Sequence, residues 1–225
     1  MLSKKRIAVL TLSVMMAAAT VFSFSFGPTG RFSAFAAVAS GGDASSSSTD
    51  DDDDDGDQIG SMSDGTEVTV LTYSDMTCII TGITSEETKI TITPKVEVNG
   101  KSYKVYAIGQ GAFDWCPNVT EIILPKTLTD VEEEAFDGPE NLKSITFKST
   151  GKLRFQEGSL TGTDNITQLR FTSQNVVVVV NKNAFAGVES TENIQIRTAK
   201  KMSAQLLNRV KSQFKKAGFA GSYIA

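Results

Sequence analysis

One pattern of apolar residues recurs along the second half of the chain at steps of 23, 24 and 25 residues. Its clearest copy spans residues 105–128, and its landmark is an Ala-Phe pair at residues 112–113, 135–136 and 184–185, with Ser159 and Leu160 as a degenerate copy. The positions five before, nine after and eleven after the landmark Phe hold only apolar residues: Ile108, Val131, Phe155 and Val180; Ile122, Ile145, Leu169 and Ile194; Leu124, Phe147, Phe171 and Ile196. Such a period predicts a solenoid, because one repeat cannot bury its apolar face without its neighbours.

The pattern within each repeat predicts its local structure. The positions nine and eleven after the landmark are two residues apart, so they lie on the same face of a β-strand, and the residues beside them face outward. A second short extended segment carries the position five before, and the Ala-Phe pair forms a single helical or 3₁₀ turn. The fourth repeat departs from the pattern, with Thr191 at a position that is apolar in the others. We therefore expect four stacked repeats over residues 105–198, with a parallel sheet on one face.

The residue patterns on either side of the repeats differ from the repeat pattern and predict caps at both ends. Residues 66–104 are rich in alternating and β-branched residues, and Asn99-Gly100 is a two-residue hairpin signal, so this segment predicts an N-terminal β cap over the first repeat. After Thr198 the apolar spacing becomes helical, with Ser203 as N-cap and Gly218 at the position that follows a helix. Residues 199–225 therefore predict a capping helix and tail, and the fold class is a β-rich α/β solenoid.

Basic residues without intervening acids are expected on the outer face of this helix: Lys200, Lys201, Arg209, Lys211, Lys215 and Lys216. Our interpretation is a solvated basic face on a capping helix. The alternative is a contact with an anionic wall polymer or a membrane surface.

The first residues predict export. Residues 1–36 have a basic start, a long apolar run and small residues near the end, which is typical of a secretory signal cleaved before Ala37 or Ser40. The alternative is an uncleaved membrane anchor.

Residues 37–65 form a Ser/Asp-rich segment that cannot bury apolar surface, so we expect a disordered tether and a secreted or loosely surface-associated protein. Alternate aspartates from residue 51 imitate a calcium loop, but Met62 stands where a Glu ligand belongs, so no metal site is expected.

Charge and composition exclude several classes of function. Residues 58–225 carry equal numbers of basic and acidic residues, which argues against a nucleic-acid-binding domain. Histidine is absent, so the chain has no Ser-His or Cys-His nucleophile pair and no His-based metal site. Glu132, Glu133 and Glu134 are consecutive and are interpreted as a solvated acidic turn. We expect no enzymatic activity and no cofactor, and the sequence leaves open whether Cys78 and Cys116 form a disulfide.

The repeat itself resembles a known family. The pattern I-G-x-x-A-F-x-x-C-x-x-V-x-x-I-x-L-P at residues 108–125 is similar to the BspA-type leucine-rich repeats of bacterial secreted and cell-surface proteins. The resemblance implies a curved leucine-rich-repeat stack used for binding, with roles in adhesion to host proteins or to other bacteria. It carries no catalytic motif that could be transferred to this chain.

The outward positions of the predicted sheet form the candidate binding surface, which we call the strip. Its residues are Glu121, Ile123, Ser144, Thr146, Lys148, Gln168, Arg170, Thr172, Gln195 and Arg197. Lys148, Arg170 and Arg197 are expected to form a basic ladder across neighbouring strands. The sequence predicts a monomeric binding and adhesion module for an extracellular protein or glycan, without nucleic-acid binding or stable membrane insertion. The alternative is a structural or assembly component of a secreted complex or of the cell envelope.

Overall fold

The computed structural model describes residues 24–26, 32–34 and 56–225, and the chain divides into two units at residues 1–51 and 52–225. In the first unit, β1 (Phe24–Phe26) pairs antiparallel with β2 (Phe32–Ala34). The predicted cleavage sites and the aspartate run up to residue 55, including the aspartates of the calcium-like pattern, lie outside the described residues. Within those residues, no helix is both long and apolar enough to cross a membrane.

The second unit contains fourteen of the described strands and one helix. The strands are β3 (Gln58–Met62), β4 (Glu67–Thr72), β5 (Thr77–Ile83), β6 (Lys89–Thr91), β7 (Lys95–Val98), β8 (Lys101–Ile108), β9 (Glu121–Leu124), β10 (Asp130–Val131), β11 (Ser144–Phe147), β12 (Lys152–Phe155), β13 (Gln168–Phe171), β14 (Val177–Val180), β15 (Gln195–Arg197) and β16 (Ser222–Ile224). The helix is α1 (Ala204–Lys216).

Five strands at the N-terminal end of this unit close into a ring. Their order is β8-β5-β4-β3-β7, and β7 pairs with both β3 and β8. The β7–β8 hairpin has Asn99 and Gly100 as its two-residue loop, with φ of 50° and 75°, as a type I′ turn requires. β3 lies within the segment that the sequence assigns to the tether, and its Met62 is buried in the ring. β5 covers the edge of β8, as expected of an N-terminal cap.

The repeats form a solenoid with two parallel sheets. In the first, β5, β8, β10, β12 and β14 pair in parallel, and in the second the order is β6-β9-β11-β13-β15-β16. The predicted solenoid and its parallel sheet are confirmed, and the second short segment of each repeat forms a sheet of its own. β5 and β6 extend the sheets before the four predicted repeats, and β16 extends one of them after these repeats.

The core lies between the two sheets and repeats with the coils. Phe113 and Phe136 are fully buried and stack with ring centroids 5.8 Å apart, and Phe147 stacks on Phe171 at 5.1 Å. Burial of one such side chain contributes about 1.5–3 kcal/mol, and aromatic pairs add about 0.5–1.5 kcal/mol. Stacking of equivalent side chains on successive coils therefore stabilises the solenoid along its whole length.

The last predicted repeat has a different register from the one expected. Leu169 pairs with Ile196, not with Ile194, so the strand starts two residues later than the spacing indicates. Ile194 is buried just before β15, and its backbone N–H donates to Thr191 O at 3.1 Å. Ile194 and Ile196 are both buried, so burial does not distinguish the two registers. Only the strand pairing does.

α1 closes the far end as the sequence predicts. The Ser203 hydroxyl caps the helix by accepting from Leu206 N at 3.3 Å, and Gly218 has φ of 87° just after it. The helix packs against β14, with Val210 and Phe214 buried. Its Gln213 Oε1 accepts from Val180 N at 3.1 Å, which satisfies a backbone donor on the edge strand. Lys200 and Lys201 precede the helix and do not lie on its outer face.

Candidate binding surface

The strip lies on the outer face of the six-stranded sheet. Strand register aligns eight of its ten residues in two straight rows: Glu121, Ser144, Gln168 and Gln195 in the first row, and Ile123, Thr146, Arg170 and Arg197 in the second. Neighbours within a row are on hydrogen-bonded parallel strands about 4.8 Å apart. Each row thus contains one residue per coil at constant spacing.

Both rows continue onto strands that the sequence analysis did not include. Lys89 and Ser222 extend the first row, and Thr91 and Ile224 extend the second. Lys89 Nζ lies 3.2 Å from Glu121 Oε2, so the acidic start of the strip is paired. The alternation in Lys89-Ile90-Thr91 predicts a strand within the N-terminal β cap, but its place in the rows depends on pairing with β9.

The predicted basic ladder is wrong in its register. Arg170 and Arg197 are direct neighbours in the second row, but Phe147 pairs with Phe171, so Lys148 is level with Thr172. The equivalent residue to Arg170 on β11 is Thr146. Thr146 is only 6% exposed, and its Oγ1 has no hydrogen-bond partner in the described part of the chain. The 24-residue step of the repeat also places Lys148 level with Thr172, so the predicted ladder did not follow the repeat register between β11 and β13.

Each arginine of the second row is held by a glutamine of the first. Arg170 Nε donates to Gln168 Oε1, and Arg197 Nε donates to Gln195 Oε1 at 2.9 Å. Gln168 Nε2 also donates to Gln195 Oε1 at 3.4 Å, which joins the two strands. The motif Gln-x-Arg on β13 and β15 therefore restrains two exposed guanidinium groups, and a restrained side chain loses less conformational entropy when it binds a partner.

A groove lies beyond the carboxyl ends of β11, β13 and β15, and its volume is about 700 Å³. Its lining residues are Lys148, Thr150, Thr172, Ser173, Gln174, Asn175, Ala199, Lys200 and Lys201. Lys148 and Thr172 belong to the strip, whereas Lys200 and Lys201 were expected on the helix. Three neighbouring coils thus bring lysines that are far apart in sequence to one groove.

Comparison with known proteins identifies the coils. A family model described as a BspA-type leucine-rich repeat region matches residues 104–214 in six copies. Residues 104–214 belong to the BspA-type leucine-rich repeat family. No curated protein matches the sequence.

Three solved structures are similar to these BspA-type repeats. A leucine-rich cell surface protein from Faecalibacterium prausnitzii is 20% identical with a TM-score of 0.43, covering 63% of this chain and 37% of its own. A leucine-rich repeat protein from Bacteroides ovatus is 23% identical with a TM-score of 0.40, covering 58% of this chain and 36% of its own. One from Bacteroides capillosus is 19% identical with a TM-score of 0.36, covering 60% and 80%. The chain therefore spans little more than a third of two of these proteins.

The opposite face of the BspA-type coils carries a polar cluster that the sequence analysis missed. Asp130 on β10 is buried and accepts hydrogen bonds from Arg154 on β12 and from the Thr129 hydroxyl. Tyr106 lies nearby, and its ring centroid is 5.9 Å from that of Tyr73. Burial, followed by the hydrogen bond with Tyr73, raises the pKa of Tyr106. Opposite charges at equivalent positions of consecutive repeats are the signal that could have predicted the Asp130–Arg154 pair.

The three consecutive glutamates differ in their surroundings. Glu133 is exposed, as expected of a solvated turn, whereas Glu132 and Glu134 are half-buried. Burial and the neighbouring Asp130 charge raise the pKa of Glu132, and Glu134 Oε2 accepts from Gln110 Nε2 at 2.7 Å. In residues 56–225, no three His, Cys, Asp or Glu side chains are grouped so that they could hold a metal ion.

Proposed function

We propose that this protein is a non-catalytic binding and adhesion module, exported from a bacterium, that takes a protein or glycan partner on the strip. The observation that carries the proposal is the alignment of strip residues in two straight rows on a rigid parallel sheet. Membership of the BspA-type family and the signal-like residues 1–36 support it. A solenoid of this kind offers an extended surface that grows with the number of coils.

The chemistry of the strip favours a polar, hydrogen-bonding partner. The first row presents a carboxylate, a hydroxyl and two amides, and the second presents an isoleucine and two arginines, because Thr146 is buried. Arginine is enriched among residues that dominate binding energy, and its planar guanidinium can donate two hydrogen bonds to one carboxylate or sulfate. Because Gln168 and Gln195 hold the arginines, binding requires little further ordering.

A panel of immobilised extracellular matrix proteins and glycans tests the proposal with the full secreted chain. The strip variant combines Arg170→Glu with Arg197→Glu, and the matched control combines Lys152→Glu with Lys182→Glu, which also reverses two exposed charges. We expect the wild type and the control to bind the same panel members, and the strip variant to lose at least about tenfold in affinity, or about 1.4 kcal/mol. Equal binding by both variants, or binding of the chain only to itself, would contradict the proposal.

A further inference from the structure

The folded unit is electrically polarised along its stacking direction. Residues 56–140 carry five Lys and Arg against fifteen Asp and Glu, whereas residues 141–225 carry thirteen against four. Coils stack in chain order, from β8 and β9 to β14 and β15, so this separation in sequence is a separation in space. The zero net charge of residues 58–225 therefore conceals an acidic half and a basic half.

The groove lies in the basic half and carries no acid. Lys148, Lys200 and Lys201 are exposed, and the other lining residues with polar side chains are Thr150, Thr172, Ser173, Gln174 and Asn175. The ion pairs found in the described part of the chain are Lys89–Glu121 and Asp130–Arg154, so the three groove lysines are not neutralised there. An anionic ligand would meet unpaired positive charge together with hydroxyl and amide groups.

We propose that the groove binds a linear polysaccharide that carries sulfate or carboxylate groups. The three lysines pair with the anionic groups, and the threonine, serine, glutamine and asparagine side chains hydrogen-bond the sugar hydroxyls. The groove crosses three neighbouring coils and is therefore about 10 Å wide along the stack, which suits a polymer segment better than a single small anion. This inference rests on the proposed binding function and names one class of partner for the basic half of the folded unit.

Two other classes of polyanion fit the groove less well. A membrane-surface site places apolar side chains beside its basic ones, but the large exposed apolar residues do not line the groove. These residues are Ile59, Tyr73, Met76, Trp115 and Ile224. A site for single-stranded nucleic acid uses aromatic side chains on which bases stack, and the groove has no aromatic residue.

The test measures binding of the full secreted chain to immobilised heparin, dextran sulfate, polygalacturonate and neutral dextran at 0.15 M salt. Heparin and dextran sulfate report on sulfate, polygalacturonate reports on carboxylate, and neutral dextran controls for uncharged sugar. The groove variant is Lys148→Glu, Lys200→Glu, Lys201→Glu. The matched control is Lys211→Glu, Lys215→Glu, Lys216→Glu, which makes the same change in charge on α1.

We expect at least one charged polysaccharide to bind, neutral dextran not to bind, and the groove variant to lose at least tenfold in affinity while the control stays within threefold. Binding should weaken as salt rises, because exposed charges are screened beyond about 10 Å at 0.1 M salt. Equal losses in both variants would overturn the proposal, because bulk charge and not the groove would then explain the attraction. Failure of all three charged polysaccharides would also overturn it.

Phosphatidylglycerol vesicles and a short single-stranded DNA complete the test. If either probe binds as tightly as the polysaccharide and the groove variant loses that binding too, the assignment to polysaccharide is overturned.

The strip variant distinguishes the groove proposal from the strip proposal. If the Arg170→Glu, Arg197→Glu chain loses its panel ligand and the wild type binds no polysaccharide, only the groove proposal is overturned. If polysaccharide binding requires the groove lysines and the strip variant binds every panel member as the wild type does, only the strip proposal is overturned.

Discussion

Arg154 on β12 lies directly opposite Asp130 on the adjacent β10 and binds both of its carboxylate oxygens. Nε is 2.6 Å from Oδ1, and Nη2 is 2.9 Å from Oδ2. The Thr129 hydroxyl donates to Oδ2 at 2.7 Å, and Gln156 Nε2 donates to Oδ1 at 3.4 Å. Burial alone favours the neutral acid, but the hydrogen bonds from Arg154 and Thr129 outweigh it and lower the pKa of Asp130 below its ordinary value of 3.8.

The first prediction concerns stability at acidic pH. A carboxyl group with a lowered pKa in the folded state contributes stability above its unfolded pKa, and this contribution is lost as pH falls through the folded pKa. Asp130→Asn should therefore reduce the fall in thermal midpoint between pH 7 and pH 3. The raised pKa of Glu132 acts in the opposite sense, so Glu132→Gln should increase that fall. Identical acid dependence in the wild type and both variants would show that neither carboxyl group titrates differently on folding.

The second prediction concerns the core between the sheets. Phe136 is fully buried and stacks on Phe113, so Phe136→Ala should lower the free energy of unfolding by roughly 3–5 kcal/mol. Lys126 is exposed, and Lys126→Ala should change it by less than about 0.5 kcal/mol. Urea unfolding of the two variants measures the difference, and similar midpoints would be incompatible with the repeat register.

The third prediction concerns the attachment of β16. A Cβ at Gly221 would overlap the carbonyl oxygen of Ile194, and it would also come within 2.6 Å of Thr191 O. Gly221→Ala should therefore displace β16 and lower the free energy of unfolding by about 1–3 kcal/mol, as overpacking does. Hydrogen exchange of the amides in Ser222–Ile224 would report the displacement.

Gly151 provides the control for this substitution. It has no neighbouring atom within 4 Å of an added Cβ, so Gly151→Ala should leave both stability and exchange nearly unchanged. Unaltered exchange in the Gly221→Ala chain would mean that β16 accommodates the methyl group without leaving the sheet.

The fourth prediction concerns the two cysteines, which are free and buried. Burial raises the pKa of the Cys78 and Cys116 thiols to about 11 in each case. Because the thiolate is the reactive form, iodoacetamide at pH 8 should modify neither cysteine in the folded chain and both after unfolding in urea. Mass spectrometry counts the added groups. Unfolded chain that stays unmodified until a reductant is added would instead reveal a disulfide.

The features that the sequence predicted correctly depend on local or periodic constraints. Phe113 and Phe136 recur because every coil buries the same position between the same two sheets. The hairpin at Asn99-Gly100 and the caps of α1 depend on a few adjacent residues whose backbone preferences are strong. These elements are predictable because the information that specifies them lies within one repeat or one turn.

The features that were missed depend on pairing between distant segments. The ring closes only because β7 pairs with both β3 and β8, and no local pattern specifies that β7 has two partners. The sequence shows that Thr191 departs from its apolar column, but not that its hydroxyl accepts from Ala220 N at 2.8 Å. The groove was missed for the same reason, since Lys148 and Lys201 meet only after three coils have stacked.

β8 belongs to the closed ring through Lys101–Lys104 and to the solenoid through Ala107 and Ile108. The ring and the first stacking surface are therefore available once the chain has been made as far as residue 108. Synthesis begins at the N-terminus, and segments fold as they become available. β8 can then act as a template on which the next coil finds a finished neighbour. α1 then packs against β14 and covers that edge of the first sheet.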